Sequence, residues 1–258
     1  MDGSNGEFQD SLYLINESAS KLLYNDEYFD FFLDYTKDIA SNNILDDFSD
    51  SPLHAFILYV HDKDSAKKVV KILDEIELNT YGIFVSQTLD KISLTYDFID
   101  KDDAIKKCYE SIEHYGVKEL LIKYLKNDNK IDEVIRILKN DIKNHVRKDI
   151  AYDKLLDIYD EYDKFEEKKK ILPEVIIETN SFVKYKELKD MYSDYEWEPV
   201  KEKIISKIKP NNKDILEDIY MEENKTDKLF ELLKKNPSIY RLSKYQDAVK
   251  DKYSKELL

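Results

Sequence analysis

The chain has 258 residues, 42% hydrophobic, 12% aromatic and 37% charged, with 41 Lys and Arg against 55 Asp and Glu for a net charge of −14. That apolar content excludes a solvated tail, and the negative field disfavours general binding to phosphate backbones. With 4 glycines and 1 cysteine, the chain lacks the means for a glycine-rich phosphate loop, a disulfide framework or a cysteine-rich zinc site.

Residues 1–8, with the polar run Asp2-Gly3-Ser4-Asn5-Gly6, are expected to form a flexible flank. From residue 9 onward the helical period dominates. Leu12, Ile15, Leu22 and Leu23 mark a first helix, and Tyr28, Phe29, Phe32, Leu33 and Ile39 a second. Ser51-Pro52 is a start signal, with serine at the N-cap and proline in the first helical position. Asp64 is expected to cap the next helix, whose apolar face carries Val69, Ile72, Leu73 and Ile76. Asp100 is expected to cap another, ending near Gly116 as a left-handed C-cap. His114 would then sit where a cation suits the helix C-terminal dipole. Pro173 lies inside a helical pattern and predicts a kink or a start there. Pro199, Pro210 and Pro237 are expected at helix edges. About fourteen helices of roughly 10–16 residues fit the pattern.

Two stretches align without gaps at an offset of 95 residues, pairing Leu121 with Leu216, Asn129 with Asn224, Lys130 with Lys225, Asp132 with Asp227, Leu138 with Leu233 and Lys139 with Lys234. A further copy lies upstream, around Phe56, Ile57, Tyr59 and Val60 and then Val69 to Leu73. A weaker one runs from Leu155-Leu156 to Ile171-Leu172 with one deletion. Each unit is a helix, a short polar turn and a second helix, at the length of tetratricopeptide-type repeats. One such pair cannot hide its apolar stripes alone, so stacked pairs bury a continuous core. The expected fold is all-α: a right-handed α-solenoid of antiparallel helix pairs over residues 9–258, with 147–150 as the candidate subdivision.

No catalytic, cofactor-binding or metal-ligating residue stands out. His54 and His61 can share a helix face, but neither they nor His114 and His145 have zincin or finger spacing around them. Cys108 lies between Lys107 and Tyr109 and is expected as a small core side chain rather than a nucleophile. Asn127-Asp128-Asn129 and Asp100 to Asp103 lack the glycine and the glutamate of a calcium loop and suit ordinary capping. The basic stretch Lys201, Lys203, Lys207, Lys209 and Lys213 carries Ile204, Ile205 and Ile208, and is expected to be a solvated helix face, with a phosphate or acidic-peptide contact as the alternative. Tyr185, Tyr192 and Tyr195 sit at core spacing, although tyrosine equally suits binding surfaces. Trp197 is expected to be a packing anchor whose N–H needs one partner.

The order Tyr185-Lys186-Glu187-Leu188-Lys189, Trp197, Pro199-Val200 and Ile204-Ile205, followed by the pair of helices from Ile215 to Leu233, resembles the helical C-terminal region of prokaryotic SWIM zinc-finger proteins. The resemblance covers roughly residues 150–258. It implies a helical portion of a protein that acts with nucleic acid or protein. The family's cysteine-rich zinc motif is absent, so no metal residue carries over. The residues together suggest a non-enzymatic interaction module, with no cofactor, that binds a protein or peptide. The alternative is the helical part of a nucleic-acid-associated SWIM-type protein. No apolar run is long enough to span a membrane and no leader pattern opens the chain, so a cytoplasmic setting is expected.

Overall fold

The computed structural model describes residues 28–31, 33, 34, 37, 57, 60–75, 81–209, 211–235 and 237–254. Among them the elements are all helical and no strand occurs. In chain order they are α1 (Lys63–Glu75), α2 (Tyr81–Leu94), a π-helix (Thr95–Ile99), α3 (Lys101–Glu110), α4 (Tyr115–Asn127), α5 (Ile131–Lys143) and α6 (Lys148–Glu161). There follow α7 (Phe165–Thr179), α8 (Phe182–Lys189), α9 (Asp194–Lys207), α10 (Lys213–Glu222), α11 (Thr226–Lys235) and α12 (Ile239–Tyr253). The expected flank 1–8, the first helix, Ser51-Pro52, His54, Ile76 and Pro210 lie outside the described residues. Of the second expected helix, residues 28–31, 33, 34 and 37 are helical. The chain divides into two compact units, Met1–Val134 and Ile135–Leu258, so the division falls inside α5.

In the first unit, Val69, Ile72 and Leu73 of α1 bury against Phe29, Leu33 and Leu94, as their spacing predicts. The cap of α1 is Asp62, not Asp64: the Ser65 N–H donates to Asp62 Oδ1 at 2.8 Å, and the Ser65 hydroxyl donates to the same oxygen. Asp100 does cap α3, accepting from the Asp103 N–H at 3.0 Å. That helix ends at Glu110, well before Gly116. Gly116 lies in the first turn of α4, and His114 is the residue before that helix, at its N-terminal end. The expected C-terminal roles of both are therefore overturned. What Gly116 provides is space, since a Cβ there would meet Leu89 Cδ1 at 3.2 Å.

Left-handed helix ends do occur, but on other residues. Asn129, His145, Asp163 and Asn224 have φ of 57°, 56°, 52° and 53°. After each, the next N–H reaches back five residues: Lys130 to Leu125 O at 2.7 Å, Val146 to Asp141 O at 2.9 Å, Lys164 to Tyr159 O and Lys225 to Tyr220 O at 2.8 Å. This is the Schellman bond that closes a helix. Short polar side chains tolerate that conformation, which is how a chain with 4 glycines turns so often. Asn129 and Asn224 are the paired residues of the aligned stretches, and Asp163 lies in the weaker copy.

In the second unit, α6 buries Ala151, Tyr152, Leu155, Leu156, Ile158 and Tyr159. Pro173 sits inside α7 and Pro199 inside α9, so neither starts nor ends a helix. At Pro199 the lost donor would have served Tyr195, whose residue is 92% exposed, where water can satisfy the carbonyl. Pro237 does precede a helix, two residues before α12.

Candidate binding surface

The C-terminal helices are fastened by a buried polar cluster centred on Glu223, the residue after α10. Its carboxylate accepts from Tyr185 Oη on α8 and from Trp197 Nε1 on α9, each at 3.1 Å. Lys189 and Lys201 reach it at 3.0 Å. Glu223 and Lys201 side chains are only 7% and 4% exposed. Burial alone would raise the Glu223 pKa, but the Trp197, Lys189 and Lys201 donors outweigh it and hold the carboxyl below its ordinary value. Glu198 and Glu222 give the two lysines second partners. The Trp197 ring meets Tyr185 edge-on with centroids 5.2 Å apart and tilts against Tyr192. Trp197 is thus a buried packing anchor, but from inside α9 and not at the helix junction that Pro199 suggested. The cluster joins α8, α9 and the end of α10 through these paired charges.

From that joint α10 carries α12. Arg241 pairs with buried Glu217, its Nε lying 3.0 Å from Oε2. Lys244 and Tyr245 both donate to Asp218 at 2.7 Å. Helices α11 and α12 then pack through Leu229, Phe230, Leu233, Tyr245 and Val249, and the Phe230 and Tyr253 rings stack at 3.9 Å. Toward the turn between them the packing opens into a cleft of about 620 Å³. Its walls are Phe230, Leu233, Pro237, Ile239 and Leu242, with Ser238 and Lys234 as the polar members. Ile239 is 90% exposed and its neighbour Tyr240 77%. Phe230 and Leu233 are buried in the floor.

A second cleft of about 580 Å³ is polar, lined by Asn180, Asn211, Asn212, Lys213, Asp214, Ile215 and Arg241. Asn212 donates to Asn180 there, and the cleft contains no histidine, cysteine or serine. Among the described residues, no three His, Cys, Asp or Glu side chains are grouped as metal ligands, and no helix is long and apolar enough to cross a membrane.

Other expected residues fall as follows. Cys108 is fully buried, and burial pushes its thiol up to about 11, so the neighbouring lysine does not activate it. The basic stretch is not one solvated face: Lys203, Lys207 and Lys209 are exposed, but Lys201 is buried in the Glu223 cluster. Tyr185 is buried, Tyr192 is half-buried under the Lys169 ammonium, and Tyr195 is exposed to solvent, so of the two uses left open it takes the surface one. Asp128, in an expected capping loop, accepts the Tyr96 hydroxyl at 3.2 Å. That bond is one of several tying a tyrosine to a carboxylate, with Tyr109 on Glu133 and Tyr152 on Glu174. Tyr96, Tyr124, Tyr152, Tyr185 and Tyr245 thus serve as polar-ended core residues, while Tyr28, Tyr115, Tyr195 and Tyr240 are exposed.

No family model, no curated protein and no solved structure matches the chain.

Proposed function

We propose that the chain is a non-enzymatic helical-repeat interaction module, a right-handed α-solenoid of antiparallel helix pairs that holds a protein or peptide. The observation that carries this reading is the apolar cleft between α11 and α12, with Ile239 90% exposed at its edge. Contiguous apolar surface left open at a concave place is what a partner side chain covers. The repeat part is supported by the matched Schellman turns at Asn129 and Asn224.

The second reading is the helical part of a nucleic-acid-associated SWIM-type protein, favoured by the Tyr185 to Ile205 order. Burial of Lys201 weakens it, because a basic face must present its charges to phosphates to release counterions.

The test is affinity capture on the wild-type chain beside Ile239→Asp. An acidic residue in the first turn of α12 suits the helix dipole, so the variant should stay folded. The module reading expects at least one protein retained by the wild type and lost by the variant. Identical captured sets would refute it. Submicromolar affinity for duplex DNA at near-physiological salt would move the conclusion to the second reading.

A further inference from the structure

We infer that the α11–α12 cleft receives an apolar side chain of an acidic amphipathic segment from another protein. This rests on the interaction-module reading and adds the chemistry of the partner.

The inference comes from charge. The one charged residue lining the cleft is a cation, Lys234, and Lys235 follows it at the end of α11. Both are exposed, and among the described residues no ion pair engages either one. The other cations of α12 are committed: Arg241 to Glu217, Lys244 to Asp218, Lys250 to Asp247 and Lys252 to Asp227. Residues 226–253 hold seven Lys and Arg against four Asp and Glu, a local excess of cations in a chain of net charge −14. Glu231 lies one turn before Lys235 but does not line the cleft. A ligand that fills the apolar floor and also satisfies this rim carries carboxylates beside its apolar anchor.

Two other occupants fit less well. A second copy of this chain, docked about a twofold axis through this patch, would bring Lys234 and Lys235 of both copies together. An anionic membrane calls for a denser basic cluster, on the order of 4–8 Lys or Arg, than this rim leaves uncommitted.

A random dodecapeptide library selected on the full chain tests the proposal. The expected winners combine Leu, Ile, Phe or Tyr with two or more Asp or Glu. They should lose binding on Ile239→Asp and weaken about tenfold on the double change Lys234→Glu, Lys235→Glu. Circular dichroism of both variants checks that the helices persist. Winners that need Ile239 but are basic or uncharged would overturn the acidic partner and leave the module reading standing. A selection with no Ile239-dependent winner would overturn both. Sedimentation with phosphatidylserine vesicles that depends on Lys234 and Lys235, without peptide enrichment, would give the cleft to a membrane and reject the proposal.

Discussion

The turns at residues 128–130 and 223–225 have the same backbone and unequal loads. Each puts asparagine in the left-handed region and closes its helix with the same five-residue reach. Each also offers the carboxylate before that asparagine to a tyrosine from an upstream helix: Tyr96 to Asp128 at 3.2 Å and Tyr185 to Glu223 at 3.1 Å. Beyond this they diverge. The Asp128 side chain is 22% exposed, with the Lys130 ammonium 3.8 Å away. Glu223 is 7% exposed and also holds Trp197, Lys189 and Lys201. Its extra methylene gives it a longer reach from the turn than Asp128. A conserved backbone pattern therefore does not say what a turn supports, because the donors come from helices 22 to 38 residues away.

The largest expected losses fall on the loaded turn. Trp197→Ala should cost about 3–5 kcal/mol by emptying a buried indole site. Glu223→Ala should cost about 3–4 kcal/mol, because Lys201 stays buried with Glu198 alone. Asp128→Ala should cost only about 0.5–1.5 kcal/mol. Urea titration of the three variants measures the contrast, and equal losses at Glu223 and Asp128 would erase it.

Alkali gives the next contrast. Burial first, then the Glu223 charge, push the Tyr185 hydroxyl well above its ordinary value of 10.0. Between that value and the folded one, the unfolded chain releases the proton and the folded chain keeps it. Stability is therefore whole below about pH 10 and falls as pH rises, by about 1.4 kcal/mol per pH unit for each such tyrosine. Tyr185→Phe should flatten the alkaline decline by one such increment, and Tyr96→Phe by less. Denaturation midpoints across the alkaline range decide it.

The smallest effect should be shared. Asn129→Ala and Asn224→Ala should each cost about 1 kcal/mol, because alanine resists the left-handed region, and glycine should restore the loss. A large cost at one turn only would mean that the two backbones are not equivalent under load.

The correspondence of the two turns was legible in the sequence; their left-handed asparagines and tyrosine–carboxylate bonds were not. The Asn-Lys pairs and the apolar stripes follow from local pattern, whereas the boundary expected beside Trp197 does not exist. What was missed depends on distant partners. Gly116 after a polar run resembles a helix end, but its purpose is the approach of Leu89, 27 residues earlier. Lys201 belongs to a basic stretch on paper, and only the fold brings Glu223 to it. Asp62 competes with Asp64 for one cap, and the deciding signal was Ser65, whose N–H and hydroxyl both donate to Asp62. Ile239 and Tyr240 follow Ser238 as an ordinary helix start would, and nothing local tells that α11 leaves them uncovered.

The most direct test of the unequal load uses the single tryptophan. Its indole N–H donates to a carboxylate 7% exposed, so the chain has one indole resonance to follow by hydrogen exchange. The account predicts slow exchange in the wild type and in Asp128→Ala, and fast exchange in Glu223→Ala at a pH where that variant remains folded. Fast exchange in the wild type, or exchange unmoved by loss of Glu223, would contradict it.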